Sequence, residues 1–149
     1  MRVVLQRVQR AAVRVEGKNV GSISEGLLAL VGFQSSDDDQ VMAAMADKIV
    51  QLRLFEDDEG KMNRSLIDVG GSLLIVSQFT LYGDARKGRR PSYSNSAPAD
   101  QALALYQRFL CIAAATGIPC AAGEFQAHME VELINDGPVT ILLDSDRLF

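Results

Sequence analysis

The sequence has no tryptophan, a single histidine, two cysteines and four prolines. Each scarcity removes a class of protein. One histidine and no Cys-x-x-Cys pair leave no ligand set with metal-site spacing. Two cysteines cannot staple a small secreted scaffold. Cys111 and Cys120 fall in or after an apolar helical stretch, where buried free thiols are expected. No apolar run approaches the roughly 20 residues of a membrane span. Nor is there an excess of positive charge: 15 Lys and Arg stand against 19 Asp and Glu, for a net −4. That balance argues against a protein that coats nucleic acid, and it leaves room for a local basic patch. Internal repeats, linkers and low-complexity segments are absent. The N-terminus opens directly into a strand pattern without signal-peptide anatomy, so a cytoplasmic location is expected, with neither membrane nor DNA as partner.

What remains is 149 residues, 48% hydrophobic and 23% charged. That suits one globular domain, residues 1–149, with a proper core. Val3, Leu5, Val13 and Val15 alternate with polar residues, which predicts strands. Glu16-Gly17-Lys18-Asn19 is a tight turn, and Val20 to Ser24 a short return strand. The nearly all-apolar stretch from Gly26 to Phe33 reads as a central strand. Ser36-Asp37-Asp38-Asp39 opens an amphipathic helix carrying Val41, Met45, Ile49 and Leu52, its acids capping rather than binding metal. Leu52 to Phe55 reads as a strand and Glu56 to Lys61 as a charged turn. Ser96 or Ala97 caps a second helix with Pro98 in its first turn; Leu103, Tyr106, Phe109, Leu110 and Ala113 are its buried stripe, and it ends at Gly117. Phe125, Ala127, Met129, Val131 and Leu133 alternate with charged or polar neighbours, as in a strand. Asn135-Asp136-Gly137 would then turn, and Val139 to Leu143 return.

Two stretches set polar groups inside apolar strand patterns. The first, Ser77-Gln78-Phe79-Thr80-Leu81-Tyr82, continues the run Leu73-Leu74-Ile75-Val76. Its hydroxyls and amide are costly in a core unless they find partners. They either bond neighbouring backbone and close the strand, or present small polar groups and N–H donors to a ligand. The second is Asn135-Asp136-Gly137-Pro138-Val139-Thr140. Taken alone, Gly137-Pro138 is an ordinary trans turn before a strand. Between them lies Arg86-Lys87-Gly88-Arg89-Arg90, the densest positive charge in the chain. Such a loop is often only solvated, but a phosphate-bearing ligand over the neighbouring strand end would meet it. Tyr93 could add a stacking surface.

These two motifs, with the opening Met1-Arg2-Val3-Val4-Leu5-Gln6-Arg7-Val8, resemble the D-aminoacyl-tRNA deacylases nearly end to end. The resemblance implies an α+β fold: two curved, mainly antiparallel sheets forming a barrel-like core, flanked by two helices. It implies a homodimer acting on the 3′ end of aminoacylated tRNA, with no metal or organic cofactor. Ser77, Gln78, Phe79 and Thr80 would form the catalytic strand end, with Thr80 in a structural role. Phe125 and Met129, in the pattern Gly123-x-Phe125-x-x-x-Met129, would contact the terminal adenosine, although their alternation suits plain core as well. Gly137 and Pro138 would be a cis pair that excludes L side chains across the dimer. Arg7 would position that pair, its plainer role being a surface charge whose stem covers the core edge. Arg86, Lys87, Arg89 and Arg90 would meet tRNA phosphates.

The residues alone supply little acid–base chemistry. Thr80 is a weak nucleophile without a base. His128 shares its strand face with Glu130 and Glu132, and so reads as surface. Oriented backbone N–H donors, plus a group on the substrate, are the economical alternative; the resemblance implies that this group is a hydroxyl of the terminal ribose. A threonine-nucleophile esterase and an RNA-end-binding module without turnover remain competing readings.

Overall fold

The alternation near the N-terminus becomes one long strand, β1 (Arg2–Val15), in a computed structural model that describes residues 1–148. β1 is buried on both faces in turn: Val3 and Leu5 pack into one core cluster, and Val8, Ala11 and Val13 into a second. Glu16 and Gly17 both adopt positive φ, 49° and 75°, and this tight turn sends the chain back as β2 (Lys18–Ile23). β3 (Gly26–Gly32) follows, buried on both faces as expected. The first half of β1 pairs antiparallel with β3 and the second half with β2. Helix α1 (Asp39–Gln51) is capped by Asp38, which accepts from the Val41 N–H at 2.9 Å. Asp37 is not a cap. It is buried against the Met1 ammonium at 2.5 Å.

A two-residue strand, β4 (Phe55–Glu56), pairs with β5 (Met62–Arg64) in a small ribbon. The expected strand from Leu52 is thus nearly absent. Ser65 and Asp68 form a reciprocal capping box that starts a short helix, α2 (Leu66–Val69). β6 (Ser72–Ser77) lies parallel to β3, and β7 (Cys120–Ala122) lies parallel to β6. Between them, α3 (Ala99–Ala114) packs Ala102, Tyr106, Phe109 and Ala113 into the core. Phe109 meets Phe33 edge to face, with ring centroids 6.1 Å apart. The last strand, β8 (Glu130–Asp144), runs antiparallel along nearly all of β1, and its outer edge has no strand partner among the described residues.

The main sheet curls until β7 comes against β2: a Cβ on Gly21 would stand 2.5 Å from the Ala122 carbonyl oxygen. The expected α+β class therefore holds, as a nearly closed barrel-like sheet plus the small ribbon, with helices packed outside. Several local expectations are corrected. Residues 125–129 form a turn rather than a strand, with Gln126 at φ 61°. Asn135–Gly137 does not reverse the chain, because β8 continues through it on the same partner. Cys111 and Cys120 are both exposed. Leu103 is also exposed, since it falls on the outer side of α3.

Candidate active site

Ser77 is the last residue of β6, so the strand stops sooner than the sequence pattern suggests. The Gln78 N–H donates to the Val31 carbonyl at 2.7 Å, and Phe79–Tyr82 then winds into a single 3-10 turn. A 3-10 turn leaves its first N–H groups without intrahelical acceptors. The N–H groups of Phe79 and Thr80 accordingly have no acceptor among the described residues. Arg2 fixes the turn from behind. It donates to the Leu81 carbonyl at 3.0 Å and to Asp144 at 2.8 Å, and its guanidinium sits 4.6 Å from the centre of the Tyr82 ring. Burial pushes the Tyr82 hydroxyl far above its ordinary range, so it stays a neutral packing group.

The turn borders a cavity of about 670 Å³ between β6, the start of α3 and residues 125–131. Ser77, Gln78 and Phe79 line one wall, with Phe125 and Met129 on another. Val76, Phe33 and Ala102 make its base apolar. Tyr106 sets the Phe125 wall: its hydroxyl lies 3.0 and 3.1 Å from the carbonyl oxygens of Ile75 and Gly123, which share its one proton, and its ring centroid lies 5.8 Å from that of Phe125. Burial raises that phenol to about 12, so it remains a donor at neutral pH. Gly123 makes room for the methionine, since a Cβ there would meet Met129 Sδ at 2.7 Å. His128 is exposed and reaches the cavity mouth because residues 125–129 turn, which the strand-face reading had missed. Thr80 does not line the cavity; it is exposed and accepts a hydrogen bond from the Gln78 amide.

The second motif is a bulge in a continuous strand. Gln6 pairs with Thr140 and Val8 with Asn135, so Asp136 to Val139 loop out opposite the single residue Arg7. Asn135 closes the loop: its side chain accepts from the Val139 N–H at 2.8 Å and donates to the Val139 carbonyl at 3.2 Å. Arg7 is buried rather than on the surface. It donates to the Asp136 carbonyl at 2.9 Å and the Leu54 carbonyl at 2.7 Å. Gly137 has φ 135°, and a Cβ there would stand 3.2 Å from the Arg7 guanidinium. The Gly137–Pro138 peptide is cis, where the isolated sequence favoured trans. Along β1, Arg7 is four residues from Val3, which is level with Val31 and Ser77. At ~3.4 Å per residue that is about 14 Å, besides three strand spacings across the sheet. One chain therefore does not bring Gly137 and Pro138 to its own cavity.

The basic loop is exposed, and its stems are clamped by paired hydrogen bonds between Asp84 and Ser92, at 2.8 and 2.9 Å. Arg86 is committed to Asp84, at 2.6 and 2.9 Å, and holds that carboxyl well below the usual carboxylate range. Lys87, Arg89 and Arg90 make no ion pair among the described residues. No group of three or more His, Cys, Asp or Glu side chains that could hold a metal ion occurs among them. None of their helices is long and apolar enough to cross a membrane.

Arg2 and Tyr106 carry no site role in the sequence pattern; only their long-range partners distinguish them from ordinary strand and helix residues. Asn135 stands in the motif but without a role of its own, and its role comes from closing the bulge onto Val139.

A family profile described as D-Tyr-tRNA(Tyr) deacylase matches residues 4–144. The D-aminoacyl-tRNA deacylase of Thermosipho africanus is 56% identical over 149 residues, covering all of both chains. That of Chloroherpeton thalassium is 57% identical over 146 residues, or 97% of this chain and 96% of the relative. Among solved structures, one named c-Myc DNA Unwinding Element Binding Protein superimposes with a TM-score of 0.91 at 38% identity. It covers 97% of this chain and 98% of its own. A probable eukaryotic D-amino acid tRNA deacylase superimposes at 0.82 over 95% of this chain and 97% of its own, and at 21% identity it speaks for the fold alone. The class is an enzyme, a hydrolase of ester bonds. This chain belongs to the D-aminoacyl-tRNA deacylase family.

Proposed function

We propose that residues 1–149 act as one deacylase domain that hydrolyses the ester joining a D-amino acid, or misplaced glycine, to the 3′ end of tRNA. The observation that carries this reading is the meeting of Ser77, Gln78 and Phe79 with Phe125 and Met129 in one cavity. The terminal adenosine fits between the aromatic and thioether walls. The ester carbonyl then lies at the strand end, where the N–H of Phe79, a cavity-lining residue whose amide has no acceptor among the described residues, is available as an oxyanion donor. Water, oriented by the vicinal ribose hydroxyl, adds to that carbonyl. Collapse of the tetrahedral oxyanion expels the ribose oxygen, which takes up the proton. Free tRNA and the amino acid leave. No side-chain base is required, in keeping with Thr80 lying outside the cavity.

Selection against L-amino acids is assigned to Gly137 and Pro138 of a second copy in a homodimer, aimed into this cavity. The distance between bulge and cavity within one chain supports that arrangement, as does the anchoring of the bulge by Arg7. Rejection by exclusion would admit glycine, which has no side chain. Lys87, Arg89 and Arg90, with Arg86 held by Asp84, would contact phosphates of the tRNA end. Work on aminoacyl-tRNA fits a cytoplasmic protein.

Incubation with a D-aminoacyl-tRNA and its L counterpart tests the reading. D-selective release is expected. Release from both would favour a general esterase with Thr80 as nucleophile, and binding without release an RNA-end-binding module.

A further inference from the structure

We propose that Phe79 and Tyr93 form a stacking platform for the nucleotide that precedes the terminal adenosine, an assignment that rests on the deacylase reading above. The two rings meet edge to face, with centroids 5.2 Å apart and planes 68° apart. Both are exposed, Phe79 at 56% and Tyr93 at 39%. Two large aromatic side chains held together in solvent have ring surface to offer a further flat partner. They are also held in place. Phe79 belongs to the 3-10 turn, and Tyr93 follows the Asp84–Ser92 clamp. The Tyr93 carbonyl accepts from the Ser96 N–H at 3.0 Å, and the Tyr93 ring lies on Gly83, where a Cβ would be 3.0 Å from it.

Place and charge select the occupant. Both rings border the cavity assigned to the adenosine, so a chain leaving that cavity past Phe79 crosses them next. The same loop carries Lys87, Arg89 and Arg90, the charges that suit a phosphodiester backbone. Aromatic faces beside a positive track are how single-stranded nucleic acid is held without regard to base identity. The 3′ end of tRNA is single-stranded, so its penultimate base is free to stack.

The test compares two substrates, a D-aminoacyl-tRNA and the same D-aminoacyl ester of adenosine alone. Tyr93→Ala should lower kcat/KM for the tRNA relative to the adenosyl ester by about fivefold or more, chiefly through KM. Tyr93→Phe keeps the ring and should restore the ratio. The salt dependence of tRNA binding should be the same in all three proteins, because the ring carries no charge. An unchanged ratio in Tyr93→Ala would overturn the platform. So would a changed sedimentation coefficient, which would assign the rings to an interface between copies. Wild-type protein that hydrolyses neither substrate would defeat the deacylase reading itself, and the platform with it.

Discussion

At Ser77–Thr80 a strand stops and leaves two amides without acceptors, whereas at Asp136–Val139 a strand swings out and is tied back on itself. Both stretches look alike in sequence, as polar residues interrupting apolar runs. Their surroundings separate them. The strand end is fixed from behind by Arg2 and Tyr82, and its front faces a cavity. The bulge is held at three points, by Arg7 on the Asp136 carbonyl and by Asn135 on both polar groups of Val139. A surface that must receive a ligand keeps donors unused, and one that must hold a fixed shape uses them internally.

The sharpest way to break this contrast is Arg7→Met. It keeps the buried stem but removes both charged donors, leaving the Asp136 and Leu54 carbonyls without them. A loss of about 3 kcal/mol in urea unfolding is expected. D-aminoacyl-tRNA hydrolysis should fall further than the folded fraction does. An unchanged urea midpoint would mean that the bulge does not depend on this anchor.

Gly32→Ala attacks the other region. The new Cβ would stand 2.9 Å from the Gln78 carbonyl oxygen and 3.3 Å from Leu81 Cβ. Overpacking here should cost about 2 kcal/mol. By displacing the strand end it should also lower kcat/KM roughly tenfold, since misplaced reacting groups are penalised steeply. Wild-type kinetics in a destabilised variant would show that the amides need no fixed position.

Asn135→Ala should cost about 1 kcal/mol and speed hydrogen exchange at the Val139 amide. Slow exchange there would place the stiffness of the bulge elsewhere. The smallest effect is expected for Thr80→Val, within about 0.5 kcal/mol in stability, as for surface substitutions generally, and with only a modest fall in turnover. A drop of several orders of magnitude in a folded protein would revive the threonine nucleophile.

Strands β1, β2, β3 and β6, the two longer helices and the tight turn at Gly17 were legible because each is a local pattern, whereas the short strands β5 and β7 gave no such pattern. The reversal expected at Asn135–Gly137 failed because Asn, Asp, Gly and Pro serve a bulge as well as a hairpin. Only pairing with β1, more than a hundred residues away in sequence, decides between them. Phe125 to Met129 alternate as a strand does, yet Gln126 takes a positive φ and the segment turns over the cavity. The exposure of Cys111 depends on which face α3 presents, and single-residue hydropathy does not carry that information. Burial of Arg7 was hidden for the same reason: its partners are backbone carbonyls from two distant segments.

The open outer edge of β8 gives the bulge a further consequence. A 15-residue strand with free N–H and C=O groups on one side is a template on which another strand could grow. Where Asp136 to Val139 leave the line, that template is cut in two, and Pro138 contributes no N–H. An extended chain docking on either segment loses register at the interruption. The excursion therefore also guards the protein against edge-to-edge aggregation.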